Sequence, residues 1–369
     1  ITEPSPAAQE TKRVFDICNA CRYCEGYCAT FQSLSMRREV RWDELDYLTN
    51  LCHDCNACFH ACQYSPPHEF NINAPLAFSQ MRAESYRRYA WPRSLGVLFE
   101  TNGLLMCLVT AITLSVTLIL GTALINSSVL FGQHVQPGAF YEIVSHGFIV
   151  ATAGTLFLYA ILVLAVGVYR YWRAMGPAAP PLSFAALRGA IGSAATLQHL
   201  GGGHGEGCNT RDASFNNQRR VFHQLTMWGF LLCFAATCVA TIYETFLGKL
   251  SPFPYTSLPV ILGTVGGMGL LVGTPGLAWV KFHSDPRPKN PANLGMDYGF
   301  LALLFLVSLT GLALLVWRET TAMGLLLLVH LGFVYAFFIT MPYSKFVHGI
   351  YRFAALVRFH GEQPGQKAD

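Results

Sequence analysis

Cysteine spacing constrains this chain before any other feature does. Between Cys18 and Cys62 one run occurs twice: Cys18-x2-Cys21-x2-Cys24-x3-Cys28, then Cys52-x2-Cys55-x2-Cys58-x3-Cys62. Two residues between thiolates let three sulfurs of one short turn reach three irons of a cubane cluster. The fourth cysteine of such a run ligates the other cluster where two clusters share a chain. That rule assigns Cys18, Cys21, Cys24 and Cys62 to one 4Fe–4S centre, and Cys52, Cys55, Cys58 and Cys28 to a second. Structural zinc calls for four ligands, usually as two C-x2-C pairs, and leaves a doubled run of four unexplained. Disulfides need an oxidising compartment, which the topology below argues against.

The chain of 369 residues is 52% hydrophobic and only 12% charged, with a mean hydropathy of +0.36. That balance points to a lipid bilayer rather than to a soluble globule. A net charge of +4, with no basic stripe interleaved with aromatics, excludes nucleic acid as a partner. Of the four remaining cysteines, Cys107, Cys233 and Cys238 lie in apolar segments and read as packing residues, while Cys208 lies in a polar loop. Residues 1–12 are polar, contain proline and lack a signal-peptide pattern, so a loose cytoplasmic N-terminus is expected.

Residues 1–95 are expected to form a cytoplasmic head carrying both clusters. The string Met36–Trp42 has no glycine or proline and reads as helix, as does a stretch around Ala74–Ala90 that Trp91-Pro92 ends. From residue 96 to 350 the pattern changes to six apolar runs, roughly 97–122, 142–169, 222–247, 258–281, 297–317 and 322–343, each long enough to span a bilayer as helix. Arg170, Arg173, Arg188, Arg211, Arg219 and Arg220 crowd the connection 170–221, and Lys281, Arg287 and Lys289 the next one on that side. The opposite loops carry only Lys249 and Arg318. By the positive-inside rule both termini, the head, the 170–221 loop and the tail 351–369 are cytoplasmic. The fold class is therefore all-α: an α-helical dicluster head on a six-helix transmembrane bundle.

Polar residues within spans point to function. Four histidines stand out: His146 early in span two, His223 opening span three, His330 in span six and His348 just beyond it. His330 and His348 are 18 residues apart, five helical turns, so an unbroken helix would put both on one face about 27 Å apart. The expected orientation sets His146 level with His330 near the outer surface, and His223 level with His348 near the inner one. Two b-type haems, each with two axial histidines, would use all four. His53, His60, His68, His134 and His283 read as solvated or potential-tuning side chains. The string His199-x4-His204-x3-Cys208, rich in glycine, reads as a flexible loop meeting a partner or covering a cofactor. No acid–base dyad or activated nucleophile is evident, so no catalytic residue is assigned.

The head resembles the α-helical ferredoxin of succinate dehydrogenase iron–sulfur subunits and heterodisulfide-reductase-type proteins. A closer resemblance rests on Cys-Asn-Ala-Cys-Arg-Tyr-Cys-Glu-Gly-Tyr-Cys at 18–28, Cys-His-Asp-Cys-Asn-Ala-Cys at 52–58 and the glycine-rich loop. It rests also on Arg219-Arg220-Val221-Phe222-His223 and on Pro342-Tyr343-Ser344-Lys345-Phe346-Val347-His348. With these the chain resembles the tricarballylate/citrate utilisation protein B family over nearly its whole length. The membrane half is similar to the γ subunit of respiratory nitrate reductase, whose last span carries two haem histidines at the same spacing. The first resemblance implies a bacterial inner-membrane partner of a cytosolic FAD-containing dehydrogenase that oxidises tricarballylate to cis-aconitate. This protein would reoxidise that flavin and pass its electrons to quinone. Rival readings are a heterodisulfide-type oxidoreductase, which would need a further cysteine-rich substrate site, and a redox-sensing anchor or transporter, which would need paired broken helices.

Overall fold

Ser5 starts the first helix: its hydroxyl accepts from the Ala8 amide at 3.2 Å, and Pro6 stands at the first helical position. In this computed structural model, which describes residues 3–175, 182–202 and 205–363, helix α1 runs Pro6–Cys21. The N-terminus is thus ordered from residue 6, against the expectation of a loose segment. Thr11 is fully buried and donates to the Ala77 carbonyl, which ties α1 to the head core. Helices α2 (Ala29–Ser35), α3 (Leu45–Leu51), α4 (Ala57–His60) and α5 (Ala74–Tyr89) complete the head. Phe15 stacks on Phe78 with ring centroids 4.4 Å apart at its centre.

The string Met36–Trp42 is not helical, contrary to its propensity: α2 stops at Ser35 and a short 3-10 turn begins only at Trp42. The Asn19 amide takes the Arg37 and Arg38 carbonyls that a helix would use. Arg37 itself folds back onto the Ser33 carbonyl and Glu44. Tertiary hydrogen bonds override local preference here.

Six helices are long and apolar enough to cross a membrane: Gly103–Leu124, His146–Ala174, Gln218–Leu247, Leu258–His283, Pro291–Trp317 and Met323–Tyr343. Their helical cores are α6 (Asn102–Leu124), α9 (His146–Ala174), α11 (Gln218–Leu247), α12 (Leu258–His283), α13 (Leu294–Trp317) and α14 (Met323–Thr340). Two short helices, α7 (Ser127–Leu130) and α8 (Ala139–Ile143), fold over the start of α14 at one end of the bundle. Leu104, Ile112, Ile119, Leu158, Val265 and Trp279 face outward, as side chains bathed in lipid do.

The head sits on the other end. Arg170 donates to the Ala90 carbonyl, Tyr343 to that of Trp91, Asn73 to that of Arg287, and Asn293 to Ser79. The connections after α9 and α12 and the end of α14 therefore share one side with the two cysteine runs. Helix α10 (Phe184–Thr196) and a two-residue hairpin of β1 (Cys208–Asn209) with β2 (Phe215–Asn216) occupy the connection between α9 and α11.

Span six does not run on unbroken to His348. After α14 a 3-10 turn spans Met341–Tyr343, Ser344 is extended, and α15 (Val347–Glu362) starts anew. Pro342 removes an amide donor, and the Tyr343 hydroxyl is held by Tyr159 and by the Trp91 carbonyl. Residues 351–362 form most of α15, which packs against α3, α9 and α10.

Candidate metal centres

The two cysteine runs coil alike. Cys18 and Cys21 occupy the last turn of α1, and Arg22, at φ +56°, ends it and swings Cys24 back beside them. Cys28 then caps α2, whose amide dipoles favour a thiolate. In the second run Asp54 and Asn56, at φ +60° and +63°, curl the chain around Cys55, and Cys62 follows α4.

Two cavities divide the eight sulfurs. One, of about 260 Å³, is lined by Cys18, Cys21, Cys24 and Cys62, with Cys58 on its wall. A smaller one is lined by Cys28, Cys52, Cys55 and Cys58. The fourth cysteine of each run thus faces the cavity of the other. Among the described residues no three His, Cys, Asp or Glu groups converge on a single-ion site. Sulfurs set around a cavity suit a polynuclear centre instead. Burial, and then neighbouring sulfurs, push the Cys24 and Cys28 thiols up to about 12, and a cationic metal centre bound among them would favour their thiolate form. The Asp54 amide, 3.4 Å from the Cys52 sulfur, donates to it.

Deeper in the molecule, His223 of α11 and His348 of α15 meet with ring centroids 6.1 Å apart and planes at 79°. Two imidazole nitrogens each about 2 Å from one metal ion put their ring centroids on the order of 6 Å apart. The Lys345 carbonyl binds Nδ1 of His348, which leaves Nε2 for a metal. Burial, with Arg352 and Lys345 beside it, holds His348 well below the usual imidazole value and so neutral, as a ligand must be. Nδ1 of His223 is buried and lacks a hydrogen-bond partner among the described residues. Phe230, Phe337 and Phe346 pack on one another where α11, α14 and the start of α15 meet.

His146 and His330 are placed differently. The hydroxyl pairs Thr152–Tyr335 and Tyr159–Tyr343 show α9 and α14 running parallel in a register that carries His146 to the level of His330. Their side chains have separate partners: His146 stacks edge-on against Tyr141 and lies 3.5 Å from Glu244, while Nδ1 of His330 meets Thr310 at 3.1 Å.

Of the other histidines, His53 lines the smaller cavity, His60 lies 3.9 Å from Asp285, and Nδ1 of His68 accepts from the Phe70 amide. His134 pairs with Glu142, and His283 packs on Trp279. His204 lies outside the described residues. Cys208 is buried beside Cys55, whereas Cys107 and Cys238 are exposed on the bundle surface.

Two arginines whose sequence positions marked them only as basic residues flanking the spans link the smaller cavity to the histidine pair. Arg352, one turn beyond His348, donates to the Cys52 carbonyl at 2.8 Å. Arg219, one turn before His223, donates to the Asp54 carbonyl. The i, i+4 spacing of each arginine from its histidine was the available signal.

A doubled four-cysteine head seated on one end of six membrane-length helices is the architecture of a multi-pass membrane protein with a ferredoxin-like head. The chain belongs to the citrate utilization protein B family: the family's model matches residues 99–369, and that of its Fer4-like domain matches residues 11–88. It is 45% identical over 382 aligned residues to Citrate utilization protein B of Escherichia coli, covering 100% of this chain and 97% of that relative. No solved structure matches it.

Proposed function

We propose that this protein takes electrons from a cytosolic FAD-containing dehydrogenase and delivers them to membrane quinone. Two 4Fe–4S clusters and two b-type haems are its carriers. Bound in the protein, these groups supply one-electron carriers, which divide the two electrons a flavin collects as hydride. Cys18, Cys21, Cys24 and Cys62 hold the cluster nearer the head surface, and Cys28, Cys52, Cys55 and Cys58 the one nearer the membrane. His223 and His348 hold the inner haem, with His146 and His330 for the outer one. In this reading the head faces the cytoplasm of a bacterial inner membrane, because Arg170, Arg173, Arg219 and Lys281 gather at its end of the bundle. The family resemblance directs the dehydrogenase toward a tricarboxylate such as tricarballylate.

One observation carries the reading. The loop Cys52–Asp54, which lines the inner cluster cavity, is hydrogen-bonded by Arg352 and Arg219 to the two helices that bear the His223–His348 pair. The chain's own residues thus hold the two sites at close quarters.

The test is a reduced-minus-oxidised optical spectrum of the detergent-purified protein, with iron and haem quantified. Sharp b-type bands at about two haems per chain and about eight non-haem irons are expected. His348→Ala should remove one haem and leave the irons. A protein with its irons but no haem would overturn the role given to the histidines.

A further inference from the structure

The described residues after α10, 197–202 and 205–209, pack beside the smaller cysteine cavity. Leu197, at φ +48°, turns the chain out of α10, and His199 follows it inward. The Gly207 amide donates to the Gly201 carbonyl at 2.7 Å, and the Cys208 thiol to the Leu200 carbonyl at 3.2 Å. The Asn209 amide donates to the carbonyl of Cys55 itself at 3.1 Å, which fastens the loop to the head. Glycine is required at two points. Gly202 and Gly207 have φ of +69° and +121°, and a Cβ on either would strike the backbone, at Gly207 and Asn216 respectively.

This construction buries His199. It lines the cavity with Cys28, Cys52, Cys55 and Cys58, is 7% exposed, and has its ring 5.9 Å from that of His53 and 5.7 Å from that of Phe359. Its Nε2 is buried with no hydrogen-bond partner among the described residues. A buried nitrogen without a partner is costly, and the cavity beside it is the place for an acceptor. The larger cavity has no histidine in its lining and is rimmed by the exposed Tyr23.

We propose that His199 donates a hydrogen bond from Nε2 to a sulfur of the membrane-side cluster, raising that cluster's reduction potential above that of the other, with residues 197–202 and 205–209 packed around it. The inference rests on the cluster assignment above. A donor on a cluster sulfur stabilises the reduced form, which carries one more negative charge, and burial away from water keeps that donor from being replaced. The asymmetry directs electrons toward the membrane. His199 tunes the cluster through this hydrogen bond and is no ligand.

The experiment is a potentiometric titration of the two cluster signals by electron paramagnetic resonance, on the full-length protein and its His199→Phe, His199→Leu and His199→Gln variants, with iron measured in each. For Phe and Leu, the reduced-to-oxidised ratio of the membrane-side cluster at fixed ambient potential should fall several-fold. The other cluster should not move, and Gln, which keeps an N–H donor, should recover part of the shift. Leu provides the reading if the bulk of Phe costs the cluster. Unchanged midpoints in the iron-replete variants, or equal shifts in both clusters, would overturn the proposal. A wild-type protein without two cluster signals would instead overturn the cluster assignment beneath it.

Discussion

Cys28 and Cys62 each face the cavity opposite the run they belong to, and the helix ends they stand at bring them there. Cys28 caps α2 and so is carried toward Cys52 and Cys55, while Cys62, at the exit of α4, is set against Cys18 and Cys24. Cys62→Ser should therefore cost the centre held by Cys18, Cys21 and Cys24, dropping non-haem iron from about eight to about four per chain. Iron analysis with paramagnetic resonance reads this directly, and loss of the other centre would refute the crossed arrangement. The grouping of the cysteines at this scale was legible, because thiols at such fixed spacing have few other uses. Arg219 and Arg352 were not read as functional, since a basic residue at a helix end is ordinarily a solvated or lipid-headgroup side chain.

Helices α11 and α12 cross so closely that glycine backbones touch. A Cβ on Gly266 would lie 2.6 Å from the Gly229 carbonyl oxygen and 2.8 Å from the Cys233 amide, and neither backbone atom can yield. The glycines of span four thus serve packing, as small residues do between membrane helices, and not a broken transport helix: α12 runs from Leu258 to His283 through Pro275. Gly266→Val should destabilise the bundle by about 1–3 kcal/mol, seen as a lower unfolding temperature in detergent. Gly154→Ala on α9, where a Cβ meets nothing within 4 Å, should leave that temperature unchanged. The spans themselves were readable from apolar run length. Their interruption between Thr340 and Val347 was not, since it depends on where Tyr343 finds Tyr159 and Trp91.

Head, bundle and C-terminal helix are joined into one body by a buried charge network. Arg358, 1% exposed, donates to Glu362 at 2.6 Å and Glu44 at 3.4 Å, and also to the Met175 carbonyl at the end of α9. Arg37 pairs with the same two carboxylates at 2.8 and 3.1 Å, and the Tyr47 hydroxyl donates to Glu362 at 3.0 Å. Removing one cation strands buried negative charge. Arg358→Met should cost about 3 kcal/mol, and Arg358→Lys, which keeps the charge but loses the fork, less than that. Thermal unfolding followed separately by cluster absorbance and by helix signal should show the head melting before the bundle in Arg358→Met. A single transition at the wild-type temperature would refute the latch.

Local chemistry by itself determined the spaced thiolates, the apolar runs of bilayer length, the basic connections on one side and histidines within spans. Each is a property of a residue and its near neighbours along the chain, so one sequence suffices to read it. Tertiary structure alone decided that span six breaks off before His348, that Arg219 and Arg352 bind the Cys52–Asp54 loop, and that a loop between spans two and three lies over the smaller cavity. Those contacts join segments far apart in the chain. Their geometry is set by how helices cross and where buried carbonyls find donors, which no window of sequence records.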